Sequence, residues 1–166
     1  MKVNRLRSFT GLIGTATVAI LLLGATPTAA AGSDDPRGAT KFRDLPYSDT
    51  TNASLATDSP DDPSNFCRSD PPNNSVWYRF QPKSNGTVNI DTFGSDYDTV
   101  LAIYTSGPGQ SAKNFTLVTC NDDFFTDFFF SLQSQVQFNG QRNQTYFIMV
   151  DTFGDNTAGN LVLNAY

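Results

Sequence analysis

The 166-residue sequence contains no histidine and no glutamate, and only one tryptophan, two methionines and two cysteines. Without histidine, Ser-His-Asp and Cys-His nucleophile activation is excluded, as are ordinary zinc sites. Carboxylate chemistry and oxygen-ligated metals remain. All 16 acidic residues are aspartates. Helices favour glutamate, whereas aspartate suits turns, caps and hard cations, so this bias argues against a helical protein. Beyond residue 31 no segment carries an apolar period of 3.6 residues.

A membrane-length apolar run is missing as well. The chain opens with Lys2, Arg5 and Arg7, continues through a short apolar stretch at 12–23, and reaches Ala29-Ala30-Ala31 before Gly32. That order of charge, apolar core and small residues is a secretory signal peptide, residues 1–31. A spanning helix needs roughly 20 predominantly apolar residues, and this stretch is interrupted by Gly14, Thr15 and Thr17. Cleavage after Ala31 leaves 135 residues, one domain without room for a second, catalytic one. It also moves the net charge from −5 to −8, which argues against nucleic acid and anionic membranes as partners. In an exported chain, Cys67 and Cys120 are expected to form a single disulfide. No cysteine near the cleavage point offers a site for lipid.

Residues 32–41 are Gly, Ser, Asp, Pro and Thr-rich and read as a flexible leader, placing the domain at 42–166. The polar stretch 47–74 holds Pro60, Pro63, Pro71 and Pro72, so one short strand and a long loop pinned by Cys67 are expected. From Asn74 onward, short alternating runs separated by turn signals predict strands near 76–80, 88–90, 99–104, 115–120, 135–138, 145–150 and 161–165. In the first of these, Val76, Tyr78 and Phe80 bury one face and Trp77 and Arg79 show the other. The fold class implied is all-β. Asp91-Thr92-Phe93-Gly94 and Asp151-Thr152-Phe153-Gly154 repeat one tetrapeptide after an apolar strand. A recurring strand-to-turn device, with aspartate capping amides and glycine at positive φ, accounts for it.

Four segments in order resemble a known family. They are Ser75-Val76-Trp77-Tyr78-Arg79-Phe80, residues 94–104 (GSDYDTVLAIY), Cys120-Asn121-Asp122-Asp123 and Thr145-Tyr146-Phe147-Ile148-Met149-Val150. Over residues 45–166 the chain resembles the bacterial and archaeal pre-peptidase C-terminal domains, a calcium-associated group related to collagenase collagen-binding modules. The resemblance implies an antiparallel, jelly-roll-like β-sandwich that accompanies secreted hydrolases as a non-catalytic part. Here no hydrolase segment stands beside it, and the loop after Asp123 departs from the family's short polar pattern. The resemblance also implies that two strand ends adjoin, which would bring Asp96 and Asp98 together with Asn121, Asp122 and Asp123. Calcium takes 6–8 oxygen ligands and accepts such a mixed set, so calcium is the expected cofactor. The spacing is not that of an EF-hand loop.

Two further features bear on function. The Asp-Thr pairs at 91 and 151 invite comparison with an aspartic protease dyad, where two carboxylates share a proton. Phe93 and Phe153 occupy the position that such a site needs as glycine. A two-aspartate glycosidase is chemically open, yet nothing in the sequence selects its pair. The run Phe124-Phe125-Thr126-Asp127-Phe128-Phe129-Phe130 reads first, on hydrophobicity, as a buried strand or a loop packed over the sandwich edge. Asp127 suits an exposed rim better, and in that reading Phe124, Phe125 and Phe128 contact an extracellular protein or polysaccharide. Asn52, Asn73, Asn85, Asn114 and Asn143 each begin an Asn-x-Ser/Thr sequon. Taken together, the sequence reads as a secreted, non-catalytic binding or accessory module. An envelope-associated structural protein and a small aspartate-based acid hydrolase are the alternatives.

Overall fold

Alternating apolar and polar residues produce short extended elements throughout the chain. The computed structural model describes residues 33–60, 62–63, 67, 71–107, 112, 114–154 and 157–166. The expected signal peptide lies outside them. Eleven strands occur among the described residues. The first four are β1 (Thr40–Phe42), β2 (Tyr47–Asn52), β3 (Val76–Phe80) and β4 (Gly86–Asp91). Then come β5 (Thr99–Ser106), β6 (Phe115–Asn121), β7 (Phe124–Thr126) and β8 (Phe129–Ser131). The last are β9 (Gln135–Gly140), β10 (Tyr146–Thr152) and β11 (Asn160–Ala165). The only helical element among the described residues is one 3-10 turn, Ala53–Leu55, capped by the Asn52 side chain.

Sheet A runs in the order β1-β3-β10-β5-β6 and sheet B in the order β2-β11-β4-β9. The chain crosses between them at β1 to β2, β2 to β3, β3 to β4, β4 to β5, β9 to β10 and β10 to β11, and from β6 to β9 through β7 and β8, which gives a jelly-roll-like sandwich. Every pairing is antiparallel except that of β1 with β3. Between the sheets, Tyr78, Phe80, Leu101, Ile103, Ile148 and Val150 from sheet A meet Val88, Ile90, Val136, Leu161 and Leu163 from sheet B. Each such fully buried side chain contributes about 1.5–3 kcal/mol relative to exposure.

Sheet A is also covered on its outer side, contrary to the expectation that β3 shows one face to solvent. Trp77 is fully buried there, with Tyr104, Phe147 and Met149. Phe115 stacks on the indole with ring centroids 5.3 Å apart. The described residues of the leader supply the rest of this roof. Ser33 bridges to Trp77, the Trp77 amide donates to the Ser33 carbonyl at 2.8 Å, and Ala39 is buried. An indole placed on an outer face must be covered, and the short polar leader does so through backbone pairing that carries no hydrophobic period. Described residues 33–41 therefore pack with the sandwich.

The polar loop after β2 is pinned at several points. Trp77 Nε1 donates to Asp62 Oδ1 at 2.9 Å and Ser75 Oγ donates to Asp62 Oδ2 at 2.6 Å. Burial pushes the Asp62 carboxyl above its ordinary value, against the hydrogen bonds that favour its charged form. Cys67 and Cys120 form the expected disulfide, Cα to Cα 5.9 Å, tying this loop to β6.

Candidate functional site

The antiparallel pairing of β5 with β6 sets Leu101 opposite Asn121 and Ala102 opposite Cys120. Continuing that ladder by a step brings the start of β5 beside the turn that follows β6. Asp98 consequently meets Asp122 and Asp123, with one carboxylate oxygen from each lying within 4.8 Å of the others. All three residues are half-buried. The Asp98 carbonyl is held by the Phe153 amide at 3.1 Å, so the end of β10 braces the same spot. One Asp123 oxygen is buried without a hydrogen-bond partner. Calcium binds oxygens at about 2.3–2.6 Å, so ligands of one ion stand up to about 5 Å apart. The donor set and its spread fit a hard divalent cation.

Of the four aspartates expected to converge, Asp96 stands apart from this cluster. Residues 95–98 carry the chain from sheet B to sheet A, so the strand alternation that would align Asp96 with Asp98 does not operate. Asp96 stays with sheet B, accepting from the Asn160 amide at 2.7 Å and from Asn160 Nδ2 at 2.9 Å. Between the two aspartates Tyr97 turns into the core. Burial, with Asp151 and Asp96 adding to it, pushes the Tyr97 hydroxyl well above its usual range. Asn121 Nδ2 donates to the Gln135 carbonyl at 2.8 Å, clamping β6 to β9 across the sandwich edge.

Beside the cluster is a set of groups that the sequence reading missed. Thr92, Thr99 and Ser134 are fully buried. The two threonine hydroxyls lie 2.6 Å apart, and Ser134 Oγ donates to the Thr99 carbonyl at 2.6 Å. They join the end of β4, the start of β5 and the approach to β9. Small hydroxyl residues at strand ends carry no distinguishing sequence signal.

The phenylalanine run is exposed, which corrects the expectation of burial. Chain connectivity forces this: β6 closes sheet A and β9 closes sheet B, so residues 122–134 must pass around the edge of the sandwich. They fold as the separate hairpin β7–β8, with Phe125 opposite Phe130 and Thr126 opposite Phe129. Phe125 is 71% exposed and Phe128, at the tip, 99%. Phe124 is half-buried and meets Phe93 edge-on with centroids 5.2 Å apart, which seats the hairpin on the β4 turn. Asp122 and Asp123 directly precede β7, so the carboxylate cluster forms the base of this hairpin.

The repeated tetrapeptides behave as strand-to-turn devices. Asp91 Oδ1 accepts from the Phe93 amide at 3.0 Å and from Asn164 Nδ2 at 2.8 Å. Asp151 Oδ1 accepts from the Asn73 amide at 2.7 Å. Gly94 and Gly154 have φ of 99° and 59°, where side chains are disfavoured. The two aspartates belong to different sheets, Asp91 to sheet B and Asp151 to sheet A.

These features define a class: a disulfide-pinned, jelly-roll-like sandwich with three clustered carboxylates at the base of an exposed aromatic hairpin. Among solved structures, the chain is similar to the pre-peptidase C-terminal domain of a collagenase from Bacillus anthracis. The TM-score is 0.47 at 9% identity, over 76% of this chain and 93% of that one. It is also similar to PliG from Aeromonas hydrophila, a periplasmic inhibitor of g-type lysozyme. There the TM-score is 0.40 at 12% identity, over 76% of this chain and 90% of that one. No protein-family model and no curated protein matches the sequence.

Proposed function

We propose that this protein is a secreted, non-catalytic binding module that docks on an extracellular protein or polysaccharide through the β7–β8 hairpin. The observation that carries this reading is the near-complete exposure of Phe128 together with exposed Phe125, Phe129 and Phe130. Several exposed aromatic rings on one short hairpin support an interaction site, because aromatic residues dominate binding energies at such sites. The signal peptide at 1–31 exports the module. Asp98, Asp122 and Asp123 hold calcium, whose charge offsets the repulsion among them and fixes the base of the hairpin. The ion is structural in this reading, and the hydrogen bonds of Asp91 and Asp151 are spent on the turns around them.

The test compares wild type with the double variant Phe125→Ser, Phe128→Ser for retention on the source organism's cell-surface and secreted fractions. The variant is expected to melt at the wild-type temperature and to lose retention. Equal retention of the two proteins removes the hairpin as the docking surface.

A further inference from the structure

The outer face of sheet B differs in chemistry from the hairpin. Along β4, β9 and β11 core-facing apolar residues alternate with outward ones, which are amides and hydroxyls apart from Asp91 and Val162, and β2 turns Ser48, Thr50 and Asn52 outward. Asn164 lies opposite Ser48 on one side and Asp91 on the other, while Asn89 lies opposite Gln137. No lysine or arginine occurs in any strand of this sheet. Exposed sheet faces and edges are ordinarily kept soluble and unpaired by charge, lysine above all, so a carboxamide surface calls for another explanation.

These side chains are also fixed in advance. Ser48 Oγ donates to Asn164 Oδ1 at 2.9 Å, Asn164 Nδ2 to Asp91 Oδ1 at 2.8 Å, and Gln137 Nε2 to Asn89 Oδ1 at 2.8 Å. At the end of the face, Pro46, Tyr47, Ser48, Phe93, Asn164 and Tyr166 line an open cleft of about 530 Å³. Phe93 is 37% exposed and Tyr166 49%. Gln135 Nε2 donates to the Tyr166 hydroxyl at 2.9 Å. Partial burial and the nearby Asp91 carboxylate push that hydroxyl above its ordinary value, so it remains a proton donor.

We infer that this face and its cleft form a platform for a neutral polysaccharide, at a surface that adjoins the hairpin through Phe93 and Phe124 but does not include Phe125 or Phe128. A sugar ring presents an apolar C–H face and a rim of hydroxyls. Aromatic rings match the first, and carboxamides, which carry donors and acceptors in one planar group, match the second. Side chains already held by one another lose less freedom on binding. The face offers no cation to pair with an anionic polymer, and its one strand carboxylate that opens on the cleft, Asp91, is 3% exposed and acts as an acceptor within the network. The openness of the cleft onto the flat sheet suits a chain of sugars rather than a single enclosed molecule.

The experiment incubates the exported chain with microcrystalline cellulose, chitin and granular starch, in low salt and in about 1 M NaCl, where surface charge is screened. Retention on at least one of the three is expected at both salt concentrations. Tyr166→Ala and Asn164→Ala are expected to bind about tenfold more weakly or worse, the loss of one stacking or network contact. The Phe125→Ser, Phe128→Ser variant is expected to bind these polymers as wild type does. Retention on none of them, retention abolished by salt, or retention unchanged in both face variants overturns the inference. Should Asn164→Ala melt early, Tyr166→Ala decides alone, because its side chain stands half outside the fold. Loss confined to the hairpin variant also overturns it, while upholding docking through the hairpin. Loss confined to the face variants upholds it and leaves the hairpin to a different ligand.

Discussion

Calcium is expected to raise the melting temperature of the protein by about 10 °C over its chelated form. Three carboxylate oxygens within 4.8 Å of one another repel. At that separation each ionised pair costs about 1 kcal/mol in water and about 3.5 kcal/mol at the effective dielectric typical near a protein surface. A cation that binds only the folded chain removes this cost. At a free concentration about 100-fold above its dissociation constant it adds about 2.7 kcal/mol of stability. For a domain of this size, 1 kcal/mol moves the midpoint by about 4 °C. Differential scanning calorimetry with calcium, with magnesium and with chelator measures the increment, magnesium being expected to do less because it sheds its waters reluctantly. Asp123→Asn removes one charge of the cluster. In chelator it should therefore melt above wild type, and most of its calcium increment should vanish. Asp96→Asn, outside the cluster, should keep the increment in full. An identical midpoint with calcium and with chelator, or an undiminished increment in Asp123→Asn, would refute the reasoning.

Three further outcomes are expected. Reducing Cys67–Cys120, which closes a separation of 53 residues, should lower stability by about 4 kcal/mol in urea unfolding with and without reductant. Because burial raises the Asp62 carboxyl, its contribution favours the fold fully below the unfolded value near 3.8 and is lost as pH rises through the higher folded value. Wild-type stability relative to Asp62→Asn should therefore fall as pH rises through that window, and a rising difference would show the sign to be wrong. A Cβ at position 159 would overlap the Asp96 carboxylate, so Gly159→Ala should displace that exposed side chain from Asn160 and cost about 1 kcal/mol in chemical denaturation, the loss of its hydrogen bonds.

The strands were legible wherever one side of a strand is core and the other is not. Val88 and Ile90 alternate with Thr87 and Asn89, and Val136 and Phe138 with Gln135 and Gln137, so β4 and β9 follow from pattern alone. Pattern misjudged Trp77, whose outward position promised exposure, because its cover comes from Phe115, from Asp62 and from residues 33–39, polar or distant segments that do not announce any burial. It misjudged the phenylalanine run for the opposite reason. Hydrophobicity says that a segment prefers to be covered, but whether room exists depends on which strands close the two sheets. At the candidate site, Asp98, Asp122 and Asp123 lie together. Asp96, two residues from Asp98, does not join them, since the chain changes sheets between them and a local spacing argument fails at such a crossing.

The described chain enters beside the edge of sheet A, where Ser33 pairs with Trp77, and leaves along sheet B, where the Tyr166 backbone pairs with Asn89. Attachment at Ser33 and at Tyr166 is therefore not equivalent. A molecule tethered through residue 33 turns its carboxamide face and cleft away from the carrier and free to sweep the surroundings. Tethering through residue 166 sets the linker at the mouth of the cleft. For immobilisation, display or fusion to a reporter, the choice of attachment point decides whether the cleft stays open.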